Sequence, residues 1–515
     1  MQGWGSVGLM SGQAPRRLDD GAGLSGSEAP RAGVLRRPDD RVGLGTTSRS
    51  GPAGSTVLTG RAATWAGLLA LAGLILFFTL ACGRWMVALY ETGHAETRQD
   101  IASVNQAVWN TGRGRFLQAT ILYEGVRDHV EPVLVLHALA YAAGGTIHTL
   151  LYLQAFLLSL GAIPFYALGR QRGGSAFEVG LLAASYLLLP PLHRLIEKDY
   201  FRTDQLLFPA LALLAYAVTV RRHRLALGAA LLALCMRESG ALAVVGLGVY
   251  WLVVERRVRA GVGLMALGVL WIPMVSYLLL PALIGHPTPH ADQVRAPGQL
   301  AEQLRAFWAV RWPVGAAVAI ALLLLRRRWA AVLAVPALVA FLFYRTDLRY
   351  VAPLFSIVWM AVADEVTRWP RPAARRAALV AAPCVFALVN LALGSWRPPS
   401  DAGIQDARPL LARVPPDASV CAESRVLVQL SLRERLYQFN REHYFPGTTR
   451  GCLDAEYFLL NRSGRDPALV GRRAPPDRAE ALRAVESLGV DTVAESGSWV
   501  LWRRRTLLAM GAPVP

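Results

Sequence analysis

Lysine is almost missing from this chain of 515 residues: Lys198 is the only one among 54 basic side chains. A net charge of +18 would ordinarily suggest a nucleic-acid partner. Here the excess is nearly all arginine, and much of it falls in short loops between apolar runs, where the positive-inside rule expects it. A GC-rich coding bias accounts for such usage better than phosphate binding does, so no nucleic-acid partner is expected. Charge of both signs is scarce, at 17% against the ~25% of ordinary soluble domains. Cysteine is scarce too: there are five, none in a Cys-x-x-Cys pair, and no His-rich ligand set accompanies them, which argues against a structural zinc site. There is no Gly-x-x-x-x-Gly-Lys-Ser/Thr loop, which argues against ATP hydrolysis on this chain. Gly112-x-Gly114 is a lone pair in a basic loop and reads as a turn.

What the chain has is apolar surface. Hydrophobic residues make up 54% of it and the mean hydropathy is +0.34, which describes a multi-pass membrane protein. Residues 62–83, AATWAGLLALAGLILFFTLACG, form a run of 22 without a charge, enough to cross a bilayer that needs ~20. A signal peptide would have an apolar core of only ~7–15 residues close to the start of the chain, so this run reads as an uncleaved anchor. Leu80-Ala81-Cys82 only faintly suggests lipoprotein processing, because it lies behind a long tail.

Arg16, Arg17, Arg36, Arg37 and Arg61 put the N-terminus in the cytoplasm and send the first span outward. Loop 90–131 is then extracytoplasmic. Basic clusters at Arg170/Arg172, Arg221/Arg222/Arg224, Arg256/Arg257/Arg259, Arg326–Arg328 and Arg371/Arg375/Arg376 mark the returns to the cytoplasm. The intervening spans are expected near 148–168, 177–192, 205–220, 225–236, 240–254, 261–284, 313–325, 329–345, 349–364 and 376–394. With the first span this makes about 11 transmembrane helices, an all-α polytopic domain over 62–394 whose C-terminal continuation lies outside. Segment 132–144 is too short to span; it reads as an interfacial helix through Val133, Leu136 and Leu139–Ala140, or as the first half of the next span.

The ends differ from the middle. Residues 1–61 are rich in Gly, Ser, Arg and Pro without periodicity, and read as a disordered cytoplasmic tail. Residues 395–515 lose the long apolar runs and gain proline pairs and short alternating segments such as RLYQF, AEYFLL and SWVLWR. They read as a small soluble, extracytoplasmic α/β domain, with a helix at 477–488 presenting Leu482, Val485 and Leu488 on one face. Cys82, Cys235 and Cys384 lie in apolar spans, whereas Cys421 and Cys452 could form a disulfide if their domain meets an oxidising compartment.

Charged residues in or beside the membrane carry the functional signal. Asp100, Glu124, Asp128, His129 and Glu131 crowd the first outer loop. Arg237-Glu238 interrupts two apolar runs, where each charge at mid-bilayer would cost about 2.5–3.5 kcal/mol. The basic loops on either side require an even number of crossings, so two short helices meet outside at this pair, as thin spans or as a re-entrant hairpin. A local salt bridge closing that hairpin is the plainer explanation. HRLIEKDYFRTD (193–204) adds Lys198, Asp199, Arg202 and Asp204, and RTDLR (345–349) adds Arg345 and Arg349. All of these face the same side, which suggests a shared cavity with carboxylates for acid/base work and arginines for a phosphate; each residue taken alone could equally be solvated loop polarity. His137 and His148 fall on apolar segments and read as packed or interfacial side chains.

DIASVNQAVWNTGRGRF (100–116), Asp128-His129-x-Glu131-Pro132, LLYLQAFLLSLGAIPFYALGR (150–170), SYLLLPPL (185–192), Arg237-Glu238 and PPDASVCAESRVLVQLSLRERLYQF (415–439) together resemble a bacterial membrane family known as domain of unknown function 2079. That family is similar to the GT-C glycosyltransferases, which transfer sugars from polyprenyl-phosphate carriers and hold a catalytic acid in the first outer loop. The resemblance implies a GT-C-like fold in the inner membrane, a polyprenyl-phosphate sugar donor, an envelope glycan, lipid or protein as acceptor, and Asp100 as the general base. It further implies substrate contacts from Asp128, His129, Glu131, Lys198, Asp199, Arg202, Asp204, Arg237, Glu238, Arg345 and Arg349, with Arg237 or Arg349 steadying the leaving phosphate. The chain departs from the family pattern at Asn105, where a second acid is expected, at Arg202 in place of His, and at Arg237-Glu238-Ser239 in place of Lys-Glu-Asp. Asp100, Asp128 and His129 could hold a divalent cation, which the sequence does not require.

Two other classes compete: a transporter or lipid flippase, disfavoured by the lack of an evident internal repeat, and a non-catalytic envelope protein whose outer domain binds a partner. The topology is open to direct test. Reporter fusions after residues 172, 225 and 258 are expected to give cytoplasmic signals and a fusion after 396 an extracytoplasmic one; a cytoplasmic signal at 396 overturns the outward C-terminal domain.

Overall fold

The computed structural model describes residues 53–95, 98–121, 125–126, 129–284, 329–330, 333–334, 352–397, 404–439, 452, 454–463 and 478–505. The expected spans 313–325 and, almost entirely, 329–345 lie outside these residues, as do Glu124, Asp128, Arg345 and Arg349.

The first apolar run is part of a long helix, α1 (Ala53–Glu91), of which Thr64–Glu91 has the length and apolarity of a span. Phe78, Cys82, Met86 and Leu89 fall at helical spacing and are buried against the other helices, while Leu69, Leu76, Phe77 and Leu80 stay exposed. A helix in hydrocarbon needs no apolar face hidden, so only its packing stripe is covered. Among the described residues, four further segments are long and apolar enough to cross a membrane: Ile147–Gln171, Ala176–Lys198, Val258–Ala282 and Pro372–Ala392. The shorter apolar helices among the described residues are Thr203–Thr219, His223–Met236 and Glu238–Val253.

Loop 90–131 is more ordered than the sequence suggested. It contains helix α2 (Arg98–Thr111) and a two-stranded antiparallel ribbon, β1 (Gln118–Ala119) with β2 (Gly125–Val126). Segment 132–144 forms its own helix, α3 (Leu134–Ala142), rather than the first half of the next span. The chain breaks at Gly144, whose φ of +83° suits glycine alone at low cost, and the following helix, α4 (Ile147–Ser159), starts afresh with a capping box on Thr146. Of the stripe expected on α3, Leu136 and Leu139 are exposed together with Val135, whereas His137 and Tyr141 point inward.

After α5 (Ala162–Gln171) and α6 (Ala176–Leu187), the charged stretch 193–204 begins as helix α7 (Pro190–Lys198) and ends in a single 3-10 turn, Thr203–Leu206, leading into α8 (Leu207–Thr219). The two short helices expected around Arg237 are α9 (His223–Met236) and α10 (Ala241–Val253). Arg237 is fully extended between them, and a Cβ on Gly240 would come within 1.9 Å of the Ala233 carbonyl oxygen. Only glycine lets the chain return so close to the helix it has just left.

The C-terminal part holds a five-stranded mixed sheet in the order β4-β3-β5-β7-β6: Leu436–Gln438, Val420–Ala422, Tyr457–Asn461, Trp499–Arg504 and Val490–Ser496. Successive strand residues point to opposite faces. Phe458, Val500 and Trp502 join Val485 of the helix Arg478–Glu486 in a local core, with Leu482 and Leu488 packed against it. Leu459, Trp499 and Leu501, on the other face, belong to the core that continues into the apolar helices. The sheet is therefore sandwiched, and β5 is buried at all five positions. Cys421 on β3 is disulfide-bonded to Cys452.

The loop side of this sheet is anchored to α2. Asn105 donates to Ser431 Oγ at 2.6 Å and accepts from the Tyr141 hydroxyl at 2.7 Å. Gln106 donates to the carbonyls of Arg433 and Glu434, and Thr120 exchanges hydrogen bonds with the backbone of Leu436. Asn105→Ala is expected to destabilise the fold by about 1–3 kcal/mol, because two buried hydroxyls lose their amide partner. A lowered thermal midpoint in detergent checks this; an unchanged midpoint shows the contact is energetically idle.

Candidate functional site

Asp100 lies in the first turn of α2, where the helix dipole favours a carboxylate. Its Oδ2 accepts from Arg202 Nη1 at 2.8 Å. Arg202, 5% exposed, also faces Asp199 at 3.5 Å and Asp204 at 3.2 Å. Burial opposes its charge, but Asp204, Asp100 and Asp199 more than offset that and raise the guanidinium pKa above its ordinary value.

Asp204 links this guanidinium to a second one. Its Oδ1 takes Arg202 Nε and its Oδ2 takes Arg237 Nη1 at 2.9 Å. Arg237 in turn donates from Nη2 to His129 Nε2 at 2.8 Å and from Nε to Glu238 at 3.4 Å. Since arginine can only donate, His129 Nε2 is an acceptor, so the ring proton sits on Nδ1 and is donated to Glu238 Oε1 at 2.8 Å. Burial would push the Glu238 carboxyl up, but His129 and Arg237 outweigh it and hold the pKa below the usual range. Glu131, fully buried, accepts from the Thr203 hydroxyl one residue before Asp204.

The stretch carrying Asp199, Arg202 and Asp204 has little regular structure of its own, and amides hold it. Gln154 on α4 accepts from His137 Nε2 on its amide oxygen and donates to the Arg202 carbonyl and the Gln205 side chain; Gln205 donates to the carbonyls of Leu195 and Asp199. Nothing in the sequence marked Gln154 or Gln205; a buried glutamine in an apolar helix was the available signal.

The structure thus unites Asp100, His129, Glu131, Asp199, Arg202, Asp204, Arg237 and Glu238. Lys198 belongs elsewhere, lining a cavity of about 500 Å³ with His94, Arg98, Arg194 and Glu197. Burial lowers the His94 pKa, aided by Arg98 and Arg194 and partly opposed by Glu197, so this imidazole is neutral near pH 7. The expected arrangement of Arg237 needs correcting: its Nη1, Nη2 and Nε donate to Asp204, His129 and Glu238, and it is 3% exposed, which leaves it poorly placed to steady a phosphate. The local Arg237–Glu238 pair exists but is the longest of these contacts. Among the described residues, no three His, Cys, Asp or Glu side chains converge to hold a metal ion; the carboxylates turn onto arginines instead.

Residues 97–487 match the family described as predicted membrane protein, DUF2079. The chain belongs to that family. This DUF2079 protein has no match among curated proteins. Among solved structures it is similar to ArnT from Cupriavidus metallidurans, a GT-C glycosyltransferase, in the crystal structure bound to undecaprenyl phosphate: 14% identity, TM-score 0.51, covering 86% of this chain and 99% of that one. The apo crystal structure of the same ArnT gives 12% identity and a TM-score of 0.49 over the same shares. At such identity the likeness is one of fold.

Asp204→Asn should leave Arg202 and Arg237 facing each other across a neutral amide, at a cost of about 3–5 kcal/mol. Thermal unfolding of the purified variant checks this; a midpoint within error of wild type means the pair is not held by Asp204.

Proposed function

We propose that this protein is an integral membrane glycosyltransferase of the GT-C type, moving a sugar from a polyprenyl-phosphate carrier to an envelope acceptor on the extracytoplasmic face, with the N-terminus in the cytoplasm. The observation that carries this reading is the position of Asp100. It stands on the first helix after the first span, it is 29% exposed, and it is the most accessible carboxylate on Arg202, since Asp199 and Asp204 are almost completely covered. A general base must be reachable by the hydroxyl it deprotonates and must be held in place, and Asp100 meets both needs.

In this mechanism Asp100 takes the proton of the acceptor hydroxyl, whose oxygen attacks the anomeric carbon. The bond from that carbon to the phosphate oxygen breaks, polyprenyl phosphate leaves, and the configuration inverts. Arg202 keeps Asp100 ionised and oriented, and Asp204 with Arg237 keeps Arg202 in place. His129 and Glu238, both partly exposed at the far end of the charged row, form part of the acceptor pocket. The GT-C fold and the undecaprenyl phosphate bound by ArnT support a lipid-linked donor.

Transfer of label from radiolabelled polyprenyl-phosphate sugars to envelope acceptors, in membranes containing wild type or Asp100→Asn, is the test. The variant should insert normally and lose transfer by about 10²-fold or more. Full activity in Asp100→Asn removes this residue from the mechanism, and no Asp100-dependent label from any donor favours transport or partner binding instead.

A further inference from the structure

Two turns of the chain carry the same pattern, Arg-Arg-x-Arg: Arg221-Arg222-His223-Arg224 between α8 and α9, and Arg256-Arg257-Val258-Arg259 between α10 and the next helix, α11 (Val258–Met274). Their backbones match as well. The first arginine of each is left-handed, with φ of +58° at Arg221 and +55° at Arg256. The second is the N-cap of the helix that follows, Arg222 at φ −90°, ψ 82° and Arg257 at φ −89°, ψ 70°, and the fourth lies in the first helical turn. His223 Nε2 faces Glu255 Oε2 at 3.9 Å, and the charges of Arg221 and Arg257 both act on the Tyr250 hydroxyl, so the two turns form one surface. The surface lies at the end of α9 and α10 opposite the Arg237 turn, roughly 20 Å away for a helix of 14 residues rising ~1.5 Å each.

Local structure gives no reason for arginine at these positions. Glycine takes the left-handed conformation after a helix at little cost, whereas a residue with a Cβ is strained there. A cation at an N-cap or in a first turn is opposed by the helix dipole, and arginine, which can only donate, cannot cap the first N–H groups. Neither Arg222 nor Arg257 makes a side-chain cap. All six arginines are exposed, and among the described residues none of them pairs with a carboxylate. The two turns contain one acid, Glu255, and it already accepts from the Tyr250 hydroxyl at 2.7 Å. Such a surface is built to meet anions from outside the chain.

Its apolar neighbours narrow the choice of anion. Val253, Val254 and Val258 are exposed beside the arginines, and Val262, Val269 and Leu270 continue an uncovered apolar side along α11. α11 approaches α10 through its glycines: a Cβ on Gly261 would come within 2.8 Å of the Gly248 carbonyl oxygen, and one on Gly268 within 2.8 Å of the Ala241 carbonyl oxygen. Its large side chains therefore face outward, and α11 opens a segment, Val258–Ala282, long and apolar enough to cross a membrane. An acidic protein or a nucleic acid would satisfy the charge and leave the valines in water. A molecule with an anionic head and acyl chains satisfies both, and guanidinium forks match the oxygens of a phosphate.

We propose that the paired Arg-Arg-x-Arg turns form a binding surface for an anionic phospholipid, with its phosphate held by guanidinium groups of both turns and its acyl chains along the exposed side of α11. This assignment stands whether or not the protein transfers a sugar.

The full-length protein in detergent micelles, titrated with dioctanoyl phosphatidylglycerol or dioctanoyl phosphatidylcholine and followed by native mass spectrometry, tests it. Phosphatidylglycerol should bind and phosphatidylcholine should not. Arg221→Gln/Arg257→Gln removes one charge from each turn and should weaken phosphatidylglycerol binding by about tenfold or more. Arg170→Gln/Arg371→Gln removes the same charge from two exposed positions elsewhere and should bind as wild type does. Glu255→Gln keeps an acceptor for Tyr250 while deleting the one acid of the turns, and should bind more tightly. That gain keeps the proposal testable if the double arginine variant fails to fold. Equal binding of phosphatidylcholine, equal weakening in the two double variants, or binding unchanged in both Arg221→Gln/Arg257→Gln and Glu255→Gln overturns it.

Discussion

Everything at the candidate site depends on one carboxylate shared by two arginines. Asp204 is 2% exposed, as are few charged groups in any protein, and it receives Arg202 on one oxygen and Arg237 on the other. Taking a guanidinium out of water is costly unless its charge and its donors are both met. Here a single residue is the partner common to two of them, which fixes the turn between α9 and α10 against the loop before α8. Asp100 is positioned at one end of the resulting row and the His129–Glu238 pair at the other. The interior members are covered and the end members are accessible, so the row works as a rigid spine with two chemically available tips.

The broad architecture was legible in the sequence because the bilayer imposes simple rules. A charge-free run of 22 residues has few structural options, and Arg237-Glu238 between two apolar segments had to mark a turn or a wet cavity. Alternating segments in the last 120 residues announced strands, and RLYQF, AEYFLL and SWVLWR each overlap one. The lengths were less legible. α1 continues past Cys82 to Glu91 because Trp85, Met86 and Leu89 extend the packing stripe beyond the point where charge first appears at Arg84. Helix α2 was read as loop because its sequence is polar, yet it is almost entirely buried, and its partners in the C-terminal part lie more than 300 residues away.

The site shows the same limit. Residue types singled out Asp100, Arg202, Asp204 and Arg237 but could not give their pairings, and pairing decides what each can do. Two arginines that looked suited to a phosphate are engaged with carboxylates. Asn105, which looked like a lost acid, is a joint: its amide both donates and accepts, as the contacts with Ser431 and Tyr141 require, whereas a carboxylate can only accept. A departure from a family's pattern can thus mark a change of docking chemistry as well as a loss of catalysis.

The distance in sequence between Asn105 and Ser431, 326 residues, sets a schedule for the newborn chain. At roughly 5–20 residues per second, the helix bearing Asp100 leaves the ribosome some tens of seconds before the strands that will hold it exist. Through that interval the polar helix has no sheet to lie against, and the spans that follow must be threaded into the bilayer past it. The final assembly of the site therefore waits for the last fifth of the polypeptide, so a ribosome that stalls late leaves a membrane-inserted chain with its most important helix unclamped.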